Sequence, residues 1–79
     1  MNWKDRITVD PDILVGKPII KGTRISVELI LDRAADGWSM DDILASYPHI
    51  NRDDVLAALK FAAELFKEER YAAIGKAGA

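Results

Sequence analysis

The chain has 79 residues, with 11 Lys and Arg against 13 Asp and Glu, and it has no cysteine. This length allows one small domain, and the lack of cysteine excludes disulfides and thiolate metal sites. The net charge of −2 argues against nucleic-acid binding driven by nonspecific phosphate contacts. With no long apolar run and no secretory leader pattern, we expect a soluble protein without a membrane span, cytoplasmic by default.

Two short stretches near the N-terminus are typical of β-strands. Residues 6–9 place apolar side chains at alternate positions, and residues 18–21, "PIIK", predict a second strand. Gly22 then supplies a position where φ can be positive, so "KGTR" predicts a tight turn. A hairpin of two strands is marginal in water. We therefore expect this arm, residues 1–26, to pair with a second copy of the chain in a symmetric dimer.

Helix signals follow directly. Ser26 predicts the start of a first helix, and Gly37 predicts its end. Ser39 with Asp42 has the spacing of a capping box, with aspartate in place of glutamate, and predicts a second helix.

The same capping pattern recurs further along the chain. Asn51 with Asp54 predicts the start of a third helix, separated from the second by the helix-breaking Pro48. The expected fold class is therefore mainly α. Three helices in residues 27–68 form a helix-turn-helix core behind the short β arm.

The third helix carries an unusually wide apolar face. At about 100° per residue, one stripe predicts the core-facing side, and Phe61 and Leu65 fall on a second stripe. A surface helix needs an apolar face of only about 100° for its own core, so the excess predicts a partner. The stripe predicted to face the core consists of Val55, Leu59, Ala62 and Phe66.

We expect the partner surface to continue into a C-terminal extension, residues 69–79. Aromatic and arginine side chains usually carry much of the energy of such an interface. The alternative is that Phe61 and Leu65 pack against the N-terminal arm of the same chain. The candidate partner-binding residues are Phe61, Leu65, Arg70, Tyr71 and Ile74.

The stretch "VGKPIIKGTRISV", residues 15–27, contains three basic residues and no acidic one. It is not a phosphate loop of the Walker type, because Lys21 precedes Gly22 and no helix follows at once. In a helix-turn-helix protein the start of the third helix reads DNA, but here it carries two aspartates. A solvated basic turn without a ligand is an equally good interpretation. The candidate DNA contacts are Lys17, Lys21 and Arg24 in the turn, with Arg52 and Lys60 on the third helix.

Nothing in the sequence predicts catalysis. The pairs Asp41-Asp42 and Asp53-Asp54 point about 100° apart on their helices and are explained by stabilisation of the helix starts. His49 is the only histidine, and no Ser, Cys or His constellation accompanies it. We expect no enzyme, no metal and no cofactor.

Taken together, four motifs resemble one family. "GKPIIKGTRISV", Gly37, "YPHIN" and "DVLAALKFA" are similar to the small bacterial proteins of the domain of unknown function 433 family. The resemblance covers about residues 7–63. It implies a homeodomain-like helix-turn-helix core and a VapB-like antitoxin, encoded beside a toxin with a PIN-like nuclease fold. Such an antitoxin is expected to bind and silence its toxin, and it can also repress its own operon by binding operator DNA.

Three functions therefore remain open from the sequence. The first is an antitoxin that binds a PIN-like toxin through apolar contacts. The second is a DNA-binding regulator that acts alone. The third is a dimerisation module with neither role.

Overall fold

A computed structural model of the chain describes residues 2–68. Two antiparallel strands precede three helices, which confirms the predicted mainly α chain with an N-terminal hairpin. A single 3-10 turn stands before each strand. The predicted extension, residues 69–79, lies outside the described residues, and so do the candidates Arg70, Tyr71 and Ile74. The elements are β1 (Ile7–Val9), β2 (Pro18–Ile20), α1 (Val27–Ala35), α2 (Met40–Ser46) and α3 (Arg52–Glu68), with the 3-10 turns at Trp3–Asp5 and Leu14–Gly16.

The two strands pair with each other within one chain. Ile7 lies opposite Ile20, and Val9 lies opposite Pro18. Ile7 and Ile20 are both buried in the same hydrophobic core as the helices. One face of the hairpin is therefore packed against the helices of the same chain. Pairing with a second copy stays a prediction.

The turn after β2 has the predicted geometry. Gly22 has a φ of +78°, a conformation that side chains with a Cβ rarely adopt. The Thr23 N–H donates to the carbonyl of Ile20 at 3.0 Å, which closes the turn. The Thr23 hydroxyl also accepts from the N–H of Ile25 at 3.0 Å. These contacts direct the chain from the hairpin into α1.

The predicted helix ends are confirmed. The Ser26 hydroxyl accepts from the N–H of Leu29 at 3.0 Å at the start of α1. Gly37, with a φ of +93°, follows the end of the same helix, and its N–H donates to the carbonyl of Ala34. Both contacts satisfy backbone groups that a helix end leaves open.

Both predicted capping boxes are present. Ser39 and Asp42 exchange hydrogen bonds of 3.0 and 3.1 Å, and Asn51 and Asp54 exchange bonds of 2.9 and 3.0 Å. The hydrogen bonds from Ser39, from its backbone first, lower the pKa of Asp42. A carboxyl with a lower pKa in the folded chain stabilises the fold above the unfolded pKa. That contribution is lost as the pH falls through the folded value.

One prediction for α3 is wrong in part. Val55 is buried as expected and Ala62 is half-buried, but Leu59 and Phe66 are 37% and 64% exposed. Ala57 and Ala58 are completely buried instead. Small side chains allow a close approach between helices, so α3 turns its alanines toward the core and its larger residues lie to the side. The buried core consists of Ile7, Ile20, Val27, Ile30, Ile43, Ile50, Val55, Ala57 and Ala58.

Candidate functional site

An open apolar groove of about 460 Å³ runs between α1 and α3. One side of it comes from α1 and β2, and the other comes from the C-terminal half of α3. Glu28 is the one charged residue that lines it among residues 2–68. The apolar lining consists of Pro18, Val27 and Leu31 on one side and Phe61, Ala62, Leu65 and Phe66 on the other.

Helical spacing explains why these residues share a groove. Val27 and Leu31 are four residues apart on α1, so they stand on the same face of that helix. Phe61 with Leu65, and Ala62 with Phe66, repeat this spacing on α3. Val27, 4% exposed, belongs to the core beneath the groove, whereas Leu65 and Phe66 are 49% and 64% exposed. The groove therefore continues the core outward into a wide apolar rim.

Besides lining the groove, Phe61 contacts Trp3 of the N-terminal arm, which sets it apart from Leu65 in the predicted partner surface. Its ring packs edge to face against Trp3, with 4.8 Å between the ring centroids and 68° between the planes. Phe61 is half-buried, whereas Leu65 is 49% exposed. Phe61 therefore packs against the N-terminal arm, as the alternative interpretation of the sequence predicts, while Leu65 keeps about half of its surface exposed.

Two ion pairs involve residues that are next to the groove lining in the sequence or belong to it. The Lys17 ammonium lies 3.4 Å from the Glu28 carboxylate, and the Lys60 ammonium lies 3.3 Å from the Glu64 carboxylate. These pairs are exposed and contribute little to stability. Glu28, the charged residue of the lining, is thus paired with Lys17.

The start of α3 is tied to the N-terminal arm by an ion pair that local sequence patterns do not predict. Arg6 contacts Asp54 at 3.0 Å and Asp53 at 3.6 Å. The Asp54 side chain is only 14% exposed. Arg6 and Asp54 are 48 residues apart in the chain, so only the tertiary fold brings them together.

The five candidate DNA contacts have different surroundings. Lys17 and Lys60 take part in the ion pairs described above. Arg52 is exposed at the start of α3, next to the two aspartates that Arg6 contacts. Lys21 and Arg24 are exposed in the turn after β2. Neither makes an ion pair with another residue of the described part of the chain.

Within residues 2–68, no helix is both long enough and apolar enough to cross a lipid bilayer.

Comparison with known proteins agrees with this architecture. The sequence model of the family described as "Protein of unknown function (DUF433)" matches residues 7–62, which is more than half of the chain. The chain belongs to the DUF433 family. This confirms the family resemblance that the four sequence motifs indicate.

Two relatives of this DUF433 chain show how similar its sequence and structure are to those of known proteins. The uncharacterized protein y4eO of Sinorhizobium fredii (strain NBRC 101917 / NGR234) is 30% identical over 59 residues. That match covers 75% of this chain but only 27% of y4eO, so the chain spans about a quarter of that relative. The crystal structure of a DUF433 member from Anabaena variabilis ATCC 29413 superposes with a TM-score of 0.73 at 26% identity. It covers 77% of this chain and 60% of the Anabaena chain.

Proposed function

We propose that this DUF433 chain is the antitoxin of a type II toxin–antitoxin pair. In this proposal it is VapB-like, its three helices form a homeodomain-like helix-turn-helix, and it silences a PIN-like nuclease toxin. The observation that supports the proposal is the apolar groove between α1 and α3. A rim in which Leu65 and Phe66 are 49% and 64% exposed is costly in water and favours a protein partner.

The shape of the groove favours a helix as its occupant. Two helices form its walls, and on each wall the apolar side chains stand four residues apart. An amphipathic helix places its own apolar residues at the same spacing and fits such a groove. The proposed occupant is therefore an amphipathic helix of the toxin. In this proposal Leu31 contacts it from α1, above the buried Val27, and Leu65 contacts it from α3.

Replacing Leu65 by lysine tests this binding mode. A charge placed in the groove should weaken binding of the adjacent gene's protein by about 30-fold or more, since central apolar anchors contribute about 2 kcal/mol or more. Leu59→Lys is the matched control, because Leu59 lies on the same helix and is 37% exposed but does not line the groove. Calorimetry with the co-produced neighbour protein measures the affinities, and an assay of its nuclease activity measures the silencing.

The outcomes separate the alternatives. Loss of binding and of silencing with Leu65→Lys, but not with Leu59→Lys, supports the proposal. Equal binding by the Leu65→Lys and unchanged chains places the interface elsewhere. A neighbouring protein that is no nuclease, or that does not bind the unchanged chain, contradicts the antitoxin role itself.

The second candidate function is DNA binding, either as autorepression by the antitoxin or by a regulator acting alone. The exposed, basic side chains of Lys21 and Arg24 favour it. They are better candidates for DNA contacts than the start of α3, because that helix start is acidic and its aspartates contact Arg6. In this candidate the turn contacts phosphates, and the third helix is not the main reader.

Replacing Lys21 and Arg24 together by alanine tests the DNA hypothesis. Binding to the chain's own upstream DNA should weaken, and its dependence on salt should flatten because fewer counterions are released. Gel-shift titrations at several salt concentrations measure both effects. Arg52→Ala is the comparison: if it abolishes binding while the double change has no effect, α3 is the reader and the hypothesis is wrong.

A further inference from the structure

The outer edge of β1 is open. The sheet has two strands in the order β1–β2, and within residues 2–68 no further strand lies beside β1. An open strand edge presents unpaired backbone groups and is a ready template for pairing with another chain. The edge ends at Val9, an apolar residue that is 57% exposed.

The hydrogen-bond pattern shows which groups the open edge presents. The Lys21 N–H donates to the carbonyl of Arg6 at 2.8 Å, so this carbonyl points toward the second strand. Backbone direction alternates along an antiparallel strand. Thr8 therefore also points toward β2, whereas Ile7 and Val9 direct their N–H and carbonyl groups to the open side. The Ile20 N–H, which donates away from β1 to Ile25, agrees with this alternation.

The opposite edge of the sheet is closed. The N–H of Ile20 is taken by the carbonyl of Ile25, and Ile19 forms a bridge with Ser26. Pro18, at the beginning of β2, has no N–H to offer. In each of two copies, therefore, β1 offers the open sheet edge through which the copies can pair. When the β1 edge of one copy pairs with the β1 edge of another, the result is a closed two-fold dimer and not a fibre.

We propose that β1 pairs antiparallel with β1 of a second copy, with the two-fold axis at Thr8. In this register Ile7 lies opposite Val9 of the second copy, and Val9 lies opposite its Ile7. Both pairs consist of residues whose backbone groups point outward, so each pair exchanges two hydrogen bonds. The result is a four-stranded sheet in the order β2–β1–β1–β2, centred on the non-hydrogen-bonded pair of the two Thr8 residues.

Charge and apolar surface both favour this register. Arg6 and Asp10 flank β1 on either side, so this register brings Arg6 near Asp10 of the second copy at each end of the ladder, and opposite charges across strands are stabilising. The Arg6 side chain keeps 34% exposure beside its contacts with α3, so part of it remains accessible. Val15, 95% exposed, belongs to the Leu14–Gly16 turn, which lies beside Val9. The dimer thus brings a second chain to an apolar end of the strand.

This surface is distinct from the groove between α1 and α3, so the dimer does not depend on the antitoxin proposal. A strand from an unrelated protein is the competing occupant of the same edge. The experiments below use the purified chain alone, where only a second copy can supply the strand.

A cysteine at position 8 tests the register directly, because the chain has no cysteine of its own. In a non-hydrogen-bonded pair the Cα atoms are about 4.5 Å apart, within the range that a disulfide bridges. Mild oxidation of the Thr8→Cys chain at micromolar concentration should convert most of it to a covalent dimer on a non-reducing gel. Val15→Cys is the control for random collision, because Val15 is the more exposed residue. Cross-linking of Val15→Cys that equals or exceeds that of Thr8→Cys overturns the proposal.

Proline at position 9 tests the edge by light scattering. Val9→Pro removes an N–H that points outward and leaves the hydrogen bonds between β1 and β2 in place, since the Thr8 backbone makes them. We expect a dimer for the unchanged chain and a monomer for Val9→Pro. Should circular dichroism show Val9→Pro unfolded, Val9→Lys replaces it, because Val9 is already exposed. Leu65→Lys should stay dimeric. A monomeric unchanged chain, or a dimer lost with Leu65→Lys and kept with the folded position 9 variant, overturns the proposal.

Discussion

Replacing Phe61 by alanine should lower the free energy of unfolding by about 3 kcal/mol, the low end for a core phenylalanine because the ring is half-buried. The ring packs between Trp3 and the core, with its centroid 4.8 Å from that of Trp3. Alanine removes the contact with Trp3 and leaves a void at the edge of the core. Urea denaturation followed by circular dichroism measures the change.

Leu65→Ala is the control for this prediction. It changes a residue on the same face of α3 that is 49% exposed, so we expect a loss of less than about 1 kcal/mol. A domain of this size has a stability of only about 4–12 kcal/mol, so a loss of about 3 kcal/mol is readily detected. Unchanged stability of Phe61→Ala combined with weaker partner binding would instead assign Phe61 to the interface, as the sequence hypothesis had it.

Replacing Asp54 by alanine should cost about 2 kcal/mol. The carboxylate accepts from the backbone N–H of Asn51 at 3.0 Å, and loss of a helix cap costs about 1 kcal/mol. It also accepts from the Arg6 guanidinium at 3.0 Å. An ion pair at the exposed surface contributes at most about 1 kcal/mol. Because the Asp54 side chain is only 14% exposed, we expect its ion pair with Arg6 to contribute an amount at the upper end of that range.

Asp42→Ala separates the two contributions. Asp42 forms the equivalent capping box with Ser39, but within residues 2–68 no arginine contacts it. The excess loss in Asp54→Ala over Asp42→Ala therefore measures the contact with Arg6. It should shrink when the comparison is repeated on an Arg6→Gln background or at high salt. Equal losses in the two variants would show that the arm is not held to α3 by this ion pair.

Local chemistry explains why the helix starts and the turns were predictable. Ser26, Ser39 and Asn51 cap their helices through side chains that reach backbone groups only three residues away. Gly22 and Gly37 take positive φ values in the structure, a conformation that favours glycine at any position in a fold. These signals act over one or two turns of chain, so a single sequence contains all the information that they need.

The orientation of α3 was less predictable because its apolar arc is wide. Helical periodicity alone predicts the stripe with Leu59 and Phe66 as the core-facing side, whereas the structure leaves both exposed and buries Ala57 and Ala58 instead. Which face of α3 is buried depends on the elements that pack against it, because alanines allow a closer approach than larger side chains. Trp3 then covers Phe61 from the other end of the sequence. A residue at position 3 and a residue at position 61 share no local pattern.

The three helices, the hairpin and the basic turn were therefore predictable from residue types and their spacing, and the family from the resemblance of four motifs to its members. The groove, the Arg6 contact with Asp54 and the open edge of β1 were not, because each depends on contacts between residues far apart in the chain. The edge is the clearest case. Strand propensity predicts that residues 7–9 are extended, but only the pairing of β1 with β2, and of β2 with Ile25 and Ser26, decides which backbone groups stay open.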